Sequence, residues 1–325
     1  MSTSPALSIV LPTYNRAAEL PVAIKSALDQ TASSDCYEIV VVDNNSTDGT
    51  ADVLRELARQ YSGRVFGVLE TRQGVAYARQ AGIEAARAEL VAFFDDDVRV
   101  SREWVATILG TFERHADIDV VGGKVLPAWS VPPPSWLTAV HWAPLALQDF
   151  GDEEMFVSRE NPRGLISANL ACRKRVFERL GGFSPQFQRV KDGIGSLEDD
   201  EWIRRLWRAG GRAVYVPDLV TYTDVPASRL TRTYHRRWHK GHGRFYAMLR
   251  ADEMERSTVG AILGVPAHLY RSAMADVVGW IRAAIAGQTD QAFLHETRLR
   301  FFRGFVHQRF GERLRRHRPV ERLYS

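Results

Sequence analysis

The sequence predicts an open, doubly wound, mostly parallel α/β sheet (Rossmann-like) with a helical C-terminal extension. Three observations carry this expectation. Apolar runs alternate with helically spaced segments near the start of the chain. Polar residues of ligand type follow directly on several of those runs. Beyond roughly Asp224 the pattern becomes helical, basic and amphipathic. The most informative case is Asp95-Asp96-Asp97, which follows Leu90 to Phe94 without a break. A short apolar run of this kind reads as a buried strand. The triplet therefore falls at a strand's carboxyl end, where ligands of open α/β sheets bind. Three adjacent carboxylates repel one another unless a cation compensates. Oxygen ligands favour a hard cation, Mg²⁺ or Mn²⁺, with substrate phosphates completing its shell. Taken alone, the triplet also reads as a solvated acidic turn.

The elements follow in order. Leu7 to Leu11 is a buried strand, and Glu19 to Ala27 is a helix with apolar residues at Leu20, Ala23, Ile24 and Ala27. Ile39 to Val42 is a second strand. Ser46, Thr47 and Asp48 are candidate caps for a helix through Val53, Leu54 and Leu57. Val65 to Leu69, Val75 to Ala86 and Leu90 to Phe94 read as strand, helix and strand. Such alternation gives βαβ units with right-handed crossovers. Pro127 to Pro144, with Pro132-Pro133-Pro134 and Trp129, Trp136 and Trp142, reads as an excursion without regular structure. Ala168 to Cys172 and Ala213 to Val216 are further strands. Arg173 to Leu180 and Glu198 to Ala209 are helices, each ended by a glycine pair. The expected division is 1–225 as the catalytic α/β domain and 226–325 as the helical region, with halves of the former at about 1–125 and 126–225.

Bulk composition narrows the class. The 325 residues are 45% hydrophobic and 25% charged, ordinary for a globular chain. Two distant cysteines, Cys36 and Cys172, form no disulfide framework, which suits a reducing compartment. Met1 to Ala6 shows no basic stretch leading into an apolar one, so no signal peptide is expected. The best candidate for a membrane span, Thr258 to Ala286, is broken by His268, Arg271, Asp276 and Arg282. The expected location is cytoplasmic, with room for a peripheral place on the inner membrane face. Net charge is only +4, but arginines crowd the last third, among them Arg298, Arg300, Arg303, Arg309, Arg313, Arg315, Arg316 and Arg318. That basic end suits an anionic membrane surface or, equally, a solvated helix face. No nucleic-acid partner is expected, and oligomeric state is not legible.

The strand ends carry the chemistry. The first loop, Pro12-Thr13-Tyr14-Asn15-Arg16, has no glycine, which excludes a dinucleotide fingerprint or a Walker A loop. A nucleotide would have to bind there through side chains. Asp43 and Asn44 after the second strand offer an acceptor and donor for a base edge, or simply build a turn.

Ser8 to Arg16 (SIVLPTYNR), Glu38 to Thr50 (EIVVVDNNSTDGT), Gly74 to Gly82 (GVAYARQAG) and Val91 to Val98 (VAFFDDDV) together resemble glycosyltransferase family 2. The match continues through Gly164 to Phe183 and Leu197 to Gly211, six motifs in order over about the first 225 residues. The resemblance implies the GT-A fold, a nucleotide-sugar donor (a UDP-sugar above all) and a divalent metal. It implies nucleotide contacts at Pro12, Thr13, Tyr14, Asp43 and Asn44, with Asn44 standing where a second Asp is frequent. Arg72 and Arg79 are candidates to face the ribose or diphosphate, although Arg79 also reads as a helix-surface charge. The family's Asp-x-Asp motif maps onto Asp95 and Asp97, with Asp96 between them: the last carboxylate is expected at the metal and an earlier one at the ribose, so that Asp97 and Asp95 are the metal candidates, Asp95 and Asp96 the nucleotide contacts, and the register is open by one residue. The Glu-Asp pair maps onto Glu198-Asp199, with Asp199 as general base. Asn169, Glu198, Asp200, Trp129, Trp136, Arg237, Trp238 and His242 are candidate acceptor or diphosphate contacts.

Three departures stand out. A metal-contacting His is frequent after the last strand, but Thr221 to Pro226 (TYTDVP) has none, leaving Asp224 or His242 as substitutes. Tyr234 to Trp238 (YHRRW) is similar to the Gln-x-x-Arg-Trp motif of processive synthases, with Tyr for Gln; without their membrane spans, a single addition is expected. His235, His239 and His242 have metal-like spacing but no supporting Cys or Glu pattern. The implied activity is inverting transfer of one sugar to a hydroxyl of a saccharide or lipid-linked saccharide. A nucleotidyltransferase and a non-catalytic saccharide binder are the rivals.

Overall fold

The computed structural model describes residues 4–188, 197–251, 261–262 and 264–316, with side chains as far as 312. These fall into two compact units. The first comprises residues up to 133, then 137–188 and 198–227; the second comprises 134–136, Leu197 and the described residues from 228 onward. Arg318 and, for their side chains, Arg313, Arg315 and Arg316 lie outside the described set.

The first unit is a mixed α/β fold around a curled, nine-stranded sheet. Its strands are β1 (Leu7–Thr13), β2 (Tyr37–Asp43), β3 (Val65–Leu69), β4 (Leu90–Phe93), β5 (Val98–Val100), β6 (Val120–Trp129), β7 (Met155–Val157), β8 (Leu170–Arg173) and β9 (Ala213–Val225). The sheet order is β3-β2-β1-β4-β8-β6-β9-β5, with β7 also on β9. β1, β2, β3 and β4 pair in parallel, as do β6 and β9; β8, β5 and β7 run against their neighbours. Every residue of β1 and β2 is buried, which is why they read as apolar runs rather than alternating ones. Their buried polar members satisfy each other: Ser8 Oγ donates to Glu38 Oε1 (2.6 Å), and Arg87 Nε donates to Glu38 Oε2 (2.6 Å).

The helices are α1 (Leu20–Leu28), α2 (Thr50–Gln60), α3 (Val75–Ala85), α4 (Trp104–Arg114), α5 (Lys174–Leu180) and α6 (Glu198–Arg208). α2 begins later than its capping signals predict. Asp48 Oδ1 accepts the Thr50 amide (2.9 Å), doing the work of a cap from outside the helix. α3 lies close on β1 because Gly82 leaves space; a Cβ there would come within 2.3 Å of Val10. α6 is anchored by Trp202, whose ring meets Phe177 at 4.8 Å and Phe183 at 5.5 Å, while Phe183 meets Phe93 of β4 edge-on at 5.7 Å. Each such aromatic pair adds about 0.5–1.5 kcal/mol beyond its area burial. This cluster fixes the acidic start of α6 against the β4 end.

Two strands depart from expectation. Pro127 and Trp129 belong to β6, so the excursion begins only after Trp129. β9 continues to Val225, well past Val216. Both miss the periodic signal for the same reason: a register shift at Gly123/Lys124 breaks the alternation, and Gly123 is required because a Cβ would meet Leu219 O at 2.0 Å.

The second unit contains α7 (Arg232–Leu249), the short hairpin β10 (Ala261–Ile262) and β11 (Val265–Pro266), α8 (Ala267–Ile285) and α9 (Thr289–Arg316). Thr231 caps α7 by accepting from the Tyr234 amide (3.2 Å). α7 and α9 cross at two glycines: a Cβ on Gly243 would lie 2.1 Å from Phe301 O, and one on Gly304 would lie 2.0 Å from Lys240 O. Among the described residues no helix is long and apolar enough to cross a membrane.

Candidate active site

The parallel register sets the loops level. Thr13 pairs with Asp43, and Asp43 with Leu69, so the loops after β1, β2 and β3 leave one sheet edge together. Val10 pairs with Phe93, which brings the Asp95 to Asp97 loop to the same edge. The first two loops are tied to each other. Asn15, at φ 53°, donates its amide to Ser46 Oγ (3.0 Å) and accepts from the Thr47 amide (2.8 Å). Pro12 and Thr13 are buried at the end of β1, and Tyr14 is exposed. Asp43 is buried, and its Oδ1 accepts from the Ser46 amide (3.0 Å).

Asn44 corrects the expectation of a base-reading amide. It is buried, and both ends of its side chain are engaged within the fold. Nδ2 donates to Glu70 O (3.1 Å) and Arg72 O (2.7 Å), while Oδ1 accepts from the Gly74 amide (2.7 Å). The residue holds the turn between β3 and α3. Gly74 itself needs φ 139°, and a Cβ there would overlap Gln188. Arg72 is exposed; Glu70, which is buried, receives its Nε (3.0 Å) and Nη2 (2.7 Å). That bidentate pair holds the Glu70 carboxylate below its ordinary pKa.

Arg79 is the centre of the site and not a helix-surface charge. Its side chain is 4% exposed. Nη2 meets Asp95 Oδ1 at 3.1 Å; Nη1 meets Glu198 Oε1 at 3.2 Å and Asp199 Oδ1 at 3.5 Å. Burial works against its charge, but the three carboxylates outweigh that and raise its pKa further. The two acidic clusters therefore converge in space, and a guanidinium stands between them. The same fixed cation disfavours a direct diphosphate contact by Arg79, because both of its terminal nitrogens already face protein carboxylates.

Asp199 is held from two sides. Its Oδ2 accepts from the amide and the hydroxyl of Ser167, both at 3.0 Å, and its Oδ1 faces Arg79. Burial raises its pKa above the ordinary value; Arg79 and the Ser167 bonds pull the other way without cancelling the rise. Ser167 was missed in the sequence, although it lies within the Gly164 to Phe183 motif and precedes Asn169 by two. Asp96, close against Thr13 and Arg16, is pushed up to about 7 by burial and by the adjacent Asp97.

The remaining candidate contacts have the following partners. Asn169 is fully buried: Oδ1 accepts from Trp104 Nε1 (2.8 Å), and Nδ2 donates to the carbonyls of Lys124 and Leu219 (both 2.8 Å). It is a structural residue, with no atom left for an acceptor. Asp200 pairs with Arg204 of its own helix (2.9 Å). Trp129 ends β6 beside Val225 and is half-buried. Trp136 is buried in the second unit against His235 and Phe293, each 5.0 Å away, which is anchoring and not a sugar platform. Arg237, Trp238 and His242 lie on α7 of that unit, where Trp238 stacks on His242 at 4.5 Å.

The metal expectation can be tested on the donor set. Among the described residues no group of three His, Cys, Asp or Glu side chains is disposed to hold an ion. Asp95 and Asp97 supply two hard oxygen donors, and Asp224 stands near them. Its amide donates to Asp97 O (3.0 Å), and its carboxylate pairs with Arg99 (2.7 Å). One or two carboxylates with phosphate oxygens completing the shell suit Mg²⁺ or Mn²⁺, so the residues fit a metal that arrives with a diphosphate.

The fold is that of the GT-A glycosyltransferases, and the chain belongs to glycosyl transferase family 2, whose model matches residues 8–181. Glycosyltransferase AglE of Haloferax volcanii is 29% identical over 223 residues, covering 67% of this chain and 67% of that one. A glucosyl-dolichyl phosphate glucuronosyltransferase of the same organism is 26% identical over 216 residues, covering 64% of this chain and 66% of that one. Among solved structures, a mannosyltransferase from Pyrobaculum calidifontis in complex with GDP-Man and Mn²⁺ superposes with a TM-score of 0.57 at 20% identity. That match covers 91% of this chain and 86% of that one, and it shows the shared fold.

Proposed function

We propose that the protein transfers one sugar, with inversion, from a nucleotide-diphosphate-sugar to a hydroxyl of a saccharide or lipid-linked saccharide, with Asp199 as general base. The observation that carries this reading is the placement of Asp199: gripped by Ser167, beside Arg79, and next to the Asp95 loop. The relative named for a dolichyl phosphate substrate supports a lipid-linked acceptor, and with it a peripheral place at a membrane.

In this reading the carboxylate accepts the proton of the acceptor hydroxyl as that oxygen bonds to the anomeric carbon. The bond from that carbon to the diphosphate oxygen breaks, and its electron pair leaves with the nucleoside diphosphate. Burial raises the proton affinity of Asp199, while Arg79 and Ser167 favour its ionised form and aim it. A metal held by Asp95 and Asp97 would offset charge on the departing diphosphate. Asp43 and Tyr14 remain the candidates to meet the base, now without Asn44, and exposed Arg72 the candidate for the ribose or diphosphate.

Release of nucleoside diphosphate from a panel of UDP- and GDP-sugars, with Mn²⁺ present and with chelator, tests the reading. Metal-dependent release from one donor is expected. Binding of a donor without any release, even with saccharide acceptors added, would make the protein a binder.

A further inference from the structure

Among the described arginines of α9, three are engaged internally. Arg300 pairs with Glu296 (2.9 Å), Arg298 with Asp276 (3.5 Å), and Arg309 with Glu312 (2.6 Å). α8 combines exposed charge with a continuous exposed apolar surface. One side of that helix is docked within its unit. Gly279 approaches the His295 ring so closely that a Cβ would lie 2.4 Å away, and His295 Nδ1 is 2.9 Å from Asp276 Oδ1. Ala273 and Ala283 are buried on the same side.

The opposite side carries Met274, Val278, Ile281 and Ile285, at i, i+4, i+7 and i+11, with Val277 at its border. All are exposed, Met274 at 70% and Ile285 at 83%. This spacing is one continuous stripe of an α-helix, about 16 Å long at ~1.5 Å per residue. Arg271 and Arg282, at i−7 and i+4 from Val278, flank the stripe. Both are exposed and neither has an acidic partner among the described residues. Asp276, the single acid of α8, faces the docked side. An aliphatic stripe edged by unpaired arginines, with its acid turned away, has the pattern of a helix lying in a lipid–water interface. Phosphate headgroups complement the arginines there, and acyl chains cover the stripe. A second copy of the chain would bring the same arginine-edged face against itself, with no exposed acid on α8 to neutralise it.

We infer that Met274, Val278, Ile281 and Ile285 of α8, flanked by Arg271 and Arg282, form the surface by which this protein docks on an anionic phospholipid bilayer. The inference names the surface for the membrane contact proposed above and is independent of the transfer chemistry.

Flotation of the full chain with phosphatidylcholine vesicles, with and without phosphatidylglycerol, tests it. The protein should float with the anionic vesicles. The double variant M274E/I285E should lose at least about tenfold in partitioning, and R271E/R282E should lose the preference for anionic lipid. Because these side chains are exposed, the variants should melt with the wild type and keep its thermal shift with a nucleotide sugar, which reads the transferase site separately. Three outcomes overturn the inference: wild type that ignores both vesicles, M274E/I285E that floats like wild type, or a wild-type dimer that M274E/I285E dissociates with no vesicle binding by either.

Discussion

Arg79 Nη1 lies 3.5 Å from Asp199 Oδ1, across 120 positions of sequence, and Nη2 of the same guanidinium lies 3.1 Å from Asp95. One buried cation thus holds the proposed base and the proposed metal loop in a common frame. Removing it would take a counter-charge away from buried Glu198 and partly buried Asp199. Arg79→Ala should therefore cost roughly 3–5 kcal/mol at neutral pH. The sign with pH is definite. Without Arg79, Asp199 loses the charge that opposes the effect of its burial and its pKa rises further, so the variant's deficit is largest where that carboxylate must be ionised. It should shrink as the pH falls and Asp199 takes up its proton. Denaturant titrations of both proteins at pH 7 and pH 5 check this.

Asn44 is a brace, and its replacement should show in stability. Asn44→Asp keeps the acceptor for the Gly74 amide but sets a carboxylate against the carbonyls of Glu70 and Arg72. A loss of about 1–3 kcal/mol is expected, with no gain in affinity for any nucleotide base. Chemical denaturation with nucleotide titration measures both.

The Glu70–Arg72 pair gives a second pH dependence. Glu70 has a lowered pKa in the folded state, so its contribution is present above the unfolded carboxylate value and is lost as pH falls through the folded one. Because Arg72 is 62% exposed, solvent screens the pair and the contribution is small. Glu70→Gln should be less stable than wild type at pH 7 and indistinguishable from it in acid below the carboxylate range. It should also weaken donor binding if Arg72 faces the nucleotide. Thermal melts across pH and a donor titration test the two claims.

Much of this was legible in the chain. β3 has the bounds its apolar run predicts, and Asp95 and Asp199 fall at the strand end and helix start that their neighbours announce. What escaped was the direction of side chains. Asn44 and Asn169 match motif positions, yet both turn inward to satisfy backbone groups, a choice fixed by partners distant in sequence. Arg79 reads as a ribose or diphosphate contact or as a helix-surface charge, and neither reading anticipates its burial between carboxylates. Its neighbours Ala76, Ala78 and Gly82 were the available signal, since a face of small residues marks a helix pressed against the sheet. β6 and the second half of β9 were hidden by Gly123, Pro127 and a register shift that erase the period of two.

The central claim is that Asp199 is the base of a transfer reaction beside a separately held donor. Single-turnover transfer by Asp199→Asn, measured alongside donor affinity and melting temperature, tests it most directly. Asparagine keeps an oxygen for the Ser167 amide but cannot take the proton. The account predicts a rate lower by ~10²–10⁴-fold with donor affinity within a few fold of wild type. Transfer at the wild-type rate would contradict it.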